Sequence, residues 1–167
     1  MQKYKPEDDG ITHINIYSRG KTRLGRMLSN FSKSKFTHPK YGEFNSIEGF
    51  WYYIKFININ EDRKEGLRYL YGYAAKQLGR QLEKDLVPDK NTDFIKLVKE
   101  AITLKIMQDN EIMELLSNTD LPLTHYYLAS TGYPIIPKNV DWVVEHIESV
   151  RVNLQRKVVS WYSVIRQ

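Results

Sequence analysis

Phe44-Asn45-Ser46-Ile47-Glu48-Gly49-Phe50-Trp51-Tyr52-Tyr53-Ile54-Lys55-Phe56 is the stretch on which the fold turns. One acid and one base, seven residues apart, interrupt a run that is otherwise almost wholly aromatic or aliphatic. Charged side chains are rarely buried without a partner. Read as a helix, the run places Glu48, Tyr52 and Lys55 on one face and Phe50, Ile54 and Ile57 on a second, apolar face. Two ionisable groups then stand at the wall of an apolar pocket. The plainer reading is a partly buried Glu–Lys pair in an apolar helix.

Outward from this run the punctuation is clear. Ser46 can cap the helix at Ile47. Upstream, Pro39 and Gly42 mark a turn between two short strands, and residues 28–36 are short and irregular. Ile11-Thr12-His13-Ile14-Asn15-Ile16-Tyr17 alternates as a half-buried strand, and the basic, glycine-bearing residues 19–26 read as a loop. Downstream, a helical run covers about 62–71. Ala74 to Arg80 reads as a short helix ended by Gly79. Pro88 and Asn91 mark a loop, and Thr92 can cap a long helix with Phe94, Leu97, Val98, Ala101 and Ile102 on its apolar face. A break near Asp109-Asn110 precedes a further helical segment, 111–116. Residues 122–137 hold Pro122, Gly132, Pro134 and Pro137 and read as a long irregular stretch of the functional kind. A last helix runs from Val140 towards Ile165, with Val143, Ile147, Val150, Leu154, Val158, Trp161 and Ile165 at helical spacing.

The 167 residues are long enough for one domain with a real core. Twelve tyrosines, six phenylalanines and three tryptophans argue against disorder. The absence of cysteine excludes disulfides and thiolate zinc sites and fits a reducing cytoplasm. No apolar run approaches a membrane span, and Met1 to Asp9 is a polar lead-in without a signal-peptide core. The four histidines lack ligand spacing with carboxylates, so no metal is expected.

The net charge of +5 is uneven. Between Gly10 and Gly42 there is no acid, while Arg19, Lys21, Arg23, Arg26, Lys33, Lys35 and Lys40 fall there. After Glu148 the chain is acid-free again, with Arg151, Arg156, Lys157 and Arg166. These stretches suit a phosphate-bearing ligand, DNA or RNA; ordinary solubility charge is the alternative.

Five segments resemble, in order, those of the NADAR family, the YbiA-like N-glycosidases. Leu28-Ser29-Asn30-Phe31 with Lys35-Phe36-Thr37 looks like the family's LSNF…PFT. Phe44 to Phe56 looks like YPSVEHYYQAQKF, with Glu48 and Lys55-Phe56 in register. Ala75-Lys76-Gln77-Leu78-Gly79-Arg80 matches AKxLGR. Ala101 to Gln108 followed by Leu115-Leu116 fits AxxxKFxQ…LL, and Lys138-Asn139 with the apolar helix to Val150-Arg151 is similar to the family's GxNxLGxxLMxVR close. The likeness spans residues 14–151. Gly49 stands where the family has histidine, Tyr52 and Ile54 where it has glutamines, and Leu123-Thr124-His125 where it has LxE. Thr131-Gly132-Tyr133-Pro134 takes the place of its tryptophan–glycine loop.

The resemblance implies an α+β, mainly helical fold: a single YbiA-like domain over 11–167 with a small N-terminal β element, after a loose lead-in over 1–10. It implies cleavage of the N-glycosidic bond of ADP-ribose attached to a nucleobase, ADP-ribosyl-guanine in nucleic acid being favoured, or of a related ribosylated metabolite. A non-catalytic ADP-ribose or nucleic-acid binding module on the same fold is the alternative. Glu48 would stabilise charge on the sugar or activate water. Lys55 would attack C1 of an opened ribose, or else pair with Glu48 or with phosphate. Asn30 and Asn139 would bind ribose hydroxyls, Arg80 a phosphate, and Trp51, Tyr52 and Tyr133 the rest of the substrate, with core packing the plainer role for Trp51. Arg19, Arg23 and Arg26 would steer phosphate inward. The reaction calls for no cofactor.

Overall fold

The computed structural model describes residues 4–90 and 93–165, with side chains as far as Arg156. The elements in chain order are β1 (Ile14–Asn15), α1 (Arg23–Leu28), β2 (Phe36–His38), β3 (Gly42–Phe44), α2 (Ile47–Ile54), α3 (Gly72–Asp85), α4 (Phe94–Gln108), α5 (Asn110–Ser117), β4 (Leu123–Thr124), β5 (Tyr127–Leu128), β6 (Pro134–Ile135) and α6 (Asp141–Ile165), with 3-10 turns at Pro6–Asp8 and Asp62–Arg68. The fold is α+β and mainly helical, its strands short and paired two by two. Two compact units divide it, residues 29–109 forming one and residues 1–28 with 110–167 the other.

The 29–109 unit is built around α2. Ser46, in extended conformation, accepts from the Gly49 amide and caps the helix as its sequence predicts. One side of α2 closes on the β2–β3 hairpin, whose turn uses Gly42 at φ +76°. There the Phe50 ring lies 5.0 Å from Phe44, 5.8 Å from Phe36 and 5.3 Å from His38. The Arg68 guanidinium covers Phe44 and Tyr53 and donates to the Tyr53 hydroxyl at 2.7 Å. Phe36, Phe44, Phe50, Ile54 and Phe56 are fully buried, so this is the core. Two glycines let neighbours reach α2. A Cβ on Gly49 would overlap the Leu67 carbonyl oxygen, and one on Gly79 would overlap the Tyr52 ring.

In the other unit β1 pairs in parallel with β4, Ile14 opposite Leu123 and Asn15 opposite Thr124. The Asn15 carboxamide bonds both backbone groups of Tyr126, and the Tyr126 hydroxyl meets His13 Nε2 at 2.9 Å. Arg151 of α6 donates to the Leu121 carbonyl at 2.7 Å, while Glu148 accepts from the Leu123 amide at 2.9 Å. α6 thereby grips the chain just before β4.

Four expectations need correction. The strand expected over 11–17 is confined to Ile14–Asn15, because Asp9 turns back to accept from the Asn15 and Lys21 amides. The loop expected over 19–26 contains α1, whose Leu24 and Leu28 are buried. Helix α3 does not stop at Gly79 but runs on to Asp85, with Gly79 buried in its middle against Tyr52. The irregular stretch 122–137 holds three short strands. The expected cap at Thr92 lies outside the described residues, and Val158, Trp161 and Ile165 lie beyond the described side chains.

Candidate active site

Glu48 sits in the first turn of α2 and is 9% exposed. Its amide donates to the Asn30 carbonyl at 2.9 Å, which ties the helix to the 29–32 turn. Burial pushes its carboxyl up to about 7; Lys76, then Lys55, then Arg80 pull against that shift. The acid is therefore poised near neutrality with three cations in electrostatic range. That is the setting expected of a working carboxyl group.

Those cations come from two helices. Lys55 closes α2 and donates to Glu83 Oε1 at 2.6 Å. Its ammonium lies 4.9 Å from the centre of the Tyr52 ring and 5.9 Å from that of Phe94. Its partner is thus Glu83, not Glu48. Lys76, Arg80 and Glu83 stand at i, i+4 and i+7 on α3 and share a face. Arg80 is exposed, and its charge pulls the Tyr52 phenol down against burial. Burial first, then Glu48 and Glu83, push the Tyr52 phenol above its usual range. Lys76 lies 5.4 Å from the Phe31 ring centre. The Tyr52 ring, wedged against Gly79, joins the two helices beneath these charges.

The 29–32 turn is held from below. Lys105 of α4 is 1% exposed and donates to the Ser29 carbonyl at 2.9 Å and to Ser32 Oγ at 2.7 Å. Burial pushes it down to about 7, with Asp109 opposing. Lys105 thus supports Asn30, whose carbonyl receives the Glu48 amide.

Of the residues singled out from sequence, Glu48, Lys55, Asn30, Trp51, Tyr52 and Arg80 fall in the 29–109 unit. Trp51 is half-buried, edge-on to Phe94 at 4.8 Å, which is packing geometry. Tyr133, Asn139, Arg19, Arg23 and Arg26 fall in the other unit. Tyr133 is 69% exposed between β5 and β6. Asn139 adopts φ +62°, a left-handed conformation that asparagine tolerates, two residues before α6. Arg23 makes a two-pronged pair with Glu111, and Arg26 donates to the Gly20 and Lys21 carbonyls. Arg19 is exposed. Sequence reasoning missed Lys76, Glu83 and Lys105. The i, i+4, i+7 spacing of Lys76, Arg80 and Glu83 becomes visible once α3 is allowed to run through Gly79.

A concavity of about 590 Å³ in the same unit is lined by His38, Lys40, Asp93, Lys96 and Glu100 among others. None of the residues expected from sequence to form the Glu48 site lines it. His38 Nδ1 accepts from the Lys40 amide, which leaves Nε2 to carry the proton of the neutral ring. Nε2 lies 3.5 Å from Glu100, a long contact, and burial holds His38 below its ordinary range against the pull of Glu100.

The solution NMR structure of the Escherichia coli protein YbiA superposes on this chain with a TM-score of 0.64. The match covers 89% of this chain and 92% of that one at 19% identity. This protein therefore has the YbiA fold, as the five-segment resemblance implies. No family model matches the sequence, and no curated protein matches it. Among the described residues, no helix is long and apolar enough to cross a membrane.

Proposed function

We propose that this protein is an N-glycosidase of the NADAR type that releases ADP-ribose from a nucleobase, with ADP-ribosyl-guanine in nucleic acid as its favoured substrate. The observation that carries the reading is Glu48: a buried carboxyl that burial pushes up to about 7, with Lys76, Lys55 and Arg80 in electrostatic range. Rupture of the C1–N bond sends the electron pair to the base and leaves positive charge on the sugar. The Glu48 carboxylate stabilises that charge and takes a proton from the water whose hydroxyl adds to C1; the departing nitrogen is protonated in turn. These three cations suit the diphosphate. In this reading Asn30 would bond ribose hydroxyls, and Tyr52 and Arg80 would orient the sugar–phosphate. Lys55 acts through its charge, paired with Glu83.

The test is incubation with an oligonucleotide carrying ADP-ribosylated guanine, followed by chromatography of the released ADP-ribose. Release by the wild type and its loss in Glu48→Gln supports the reading. Tight binding without release by either protein assigns the chain to the non-catalytic binding module instead.

A further inference from the structure

Tyr69, Tyr71 and Tyr73 are 71%, 47% and 70% exposed within five consecutive residues. Large aromatic side chains left in water at this density are unusual for a surface that meets nothing else. The segment that carries them is not a loose loop. The Asn45 side chain donates to the Tyr69 carbonyl at 2.8 Å and Ser46 Oγ to the Leu70 carbonyl at 2.9 Å. Ser46 is the cap of α2, two residues before Glu48, so the tyrosines are anchored at the end of the helix that bears the acid. Gly72 adopts φ +57°, and its α-carbon faces the Phe31 carbonyl.

Cations stand among these rings. The Lys33 ammonium lies 5.5 Å from the Tyr71 ring centre. Lys76, one turn beyond Tyr73 on α3, lies 5.4 Å from Phe31 and is also the largest cationic influence on Glu48. Residues 29–42 contain one acid-free stretch and 69–82 another. Both strips carry aromatic and ammonium groups without carboxylates, and Lys76 ties this patch electrostatically to Glu48.

We infer that Tyr69, Tyr71 and Tyr73, with Lys33 and Lys76, form a stacking platform for single-stranded nucleic acid beside the Glu48 site. Bases stack on exposed aromatic rings while ammonium groups follow the phosphates. A double helix hides its base faces and cannot use such rings, so the platform selects unpaired strands. The inference rests on the proposed function only in saying why a strand is brought there: a modified base within it would be delivered to Glu48.

Binding of unmodified strands tests the platform separately from turnover. Fluorescence anisotropy with a labelled oligothymidylate of about 12 nucleotides is the measurement, at about 50 and 200 mM salt. The strand should bind more tightly than a duplex of equal length, and affinity should fall with salt. Tyr69→Ala and Tyr73→Ala should each weaken binding by about fivefold or more, the scale of one lost stacking contact, and the corresponding Tyr→Phe variants should restore it. An abasic strand with the same number of phosphates should bind markedly less well. The inference is overturned if the double alanine variant binds as the wild type does, or if the abasic strand binds equally tightly. Strand binding retained by Glu48→Gln, together with no turnover by the wild type, would remove the glycosidase reading and leave the platform standing.

Discussion

Lys105 Nζ donates to the carbonyl oxygen of Ser29 across 2.9 Å, in a place where the lysine is 1% exposed. The same nitrogen donates to Ser32 Oγ, so one buried group closes both ends of the turn that holds Asn30. A neutral amine still has the two N–H bonds this task needs, which makes a depressed ionisation tolerable there. The turn, in turn, receives the Glu48 amide.

Lys105→Met is therefore expected to act at a distance. Side-chain volume is largely kept and both donors are lost. Misplacement of about 1 Å at a reacting centre can cost about a hundredfold in rate. Turnover of the oligonucleotide substrate should fall by about tenfold or more, with kcat affected more than KM. The stability effect has a definite sign. Burial lowers Lys105 from 10.5 to about 7, so the folded state binds fewer protons than the unfolded chain in that interval. The wild type should lose stability as pH falls from about 10 towards 7, and Lys105→Met should lack that slope. Urea midpoints across this range check it; parallel slopes would remove the buried lysine as their cause.

Glu48→Gln separates function from stability. Removal of the charge should lower turnover by at least about a hundredfold. In the wild type, kcat/KM should rise through an apparent pKa near 7 if, as proposed, the carboxylate form is the working one, since burial delays its formation to that pH. The same burial penalises folding. The penalty is absent below about 4.5 and complete above about 7. Above neutrality Glu48→Gln should therefore be more stable than the wild type, by up to about 3 kcal/mol. Thermal melts at acid and alkaline pH decide the point; a variant destabilised at alkaline pH contradicts it.

The run from Phe44 to Phe56 was legible because its residue types conflict with simple burial. The Ser46 cap, the helix from Ile47, the hairpin turn at Gly42 and the buried position of Glu48 all follow from spacing and residue chemistry. Lys55 was legible as a cation near the site but not in its pairing, since Glu83 comes from a helix 28 residues on. The Gly79 error has a plain cause. Glycine ends helices often enough to suggest a stop, yet here it is spent on the approach of the Tyr52 ring, which no local pattern reveals. Gly49, where the family it resembles carries histidine, is explained by Leu67, whose carbonyl occupies the space a side chain would need. The role of Lys105 is invisible to local pattern because its partners at Ser29 and Ser32 lie more than 70 positions away.

Gly79→Ala tests that approach. Alanine favours a helix over glycine by about 1 kcal/mol, so an exposed site would be stabilised. At Gly79 the new methyl meets the buried Tyr52 ring. Overpacking of this kind costs about 1–3 kcal/mol, and the ring cannot retreat without disturbing Lys55 above it. The variant should be destabilised by about 1 kcal/mol or more despite its better propensity, and Tyr52→Ala should relieve part of the clash in the double mutant. Denaturation of the two singles and the double measures the coupling; additive effects would exclude the contact as its source.

Lys55 divides two mechanisms. A nucleophilic amine must offer a lone pair to C1, whereas Lys55 is engaged with Glu83 at 2.6 Å and lies over Tyr52. Its expected role is therefore electrostatic: it neutralises Glu83 and pulls the Glu48 carboxyl down against burial. Lys55→Ala removes that pull and leaves Glu83 as an extra negative charge nearby. Like charge raises a carboxyl pKa, so the rising limb of kcat/KM should move to higher pH, and activity at neutral pH should fall. Lys55→Arg keeps the cation and should leave the limb near its original place. Borohydride added during turnover should trap no covalent sugar adduct. A trapped adduct that vanishes in Lys55→Ala would instead make Lys55 the nucleophile, and an unshifted limb in Lys55→Ala would remove it from the mechanism.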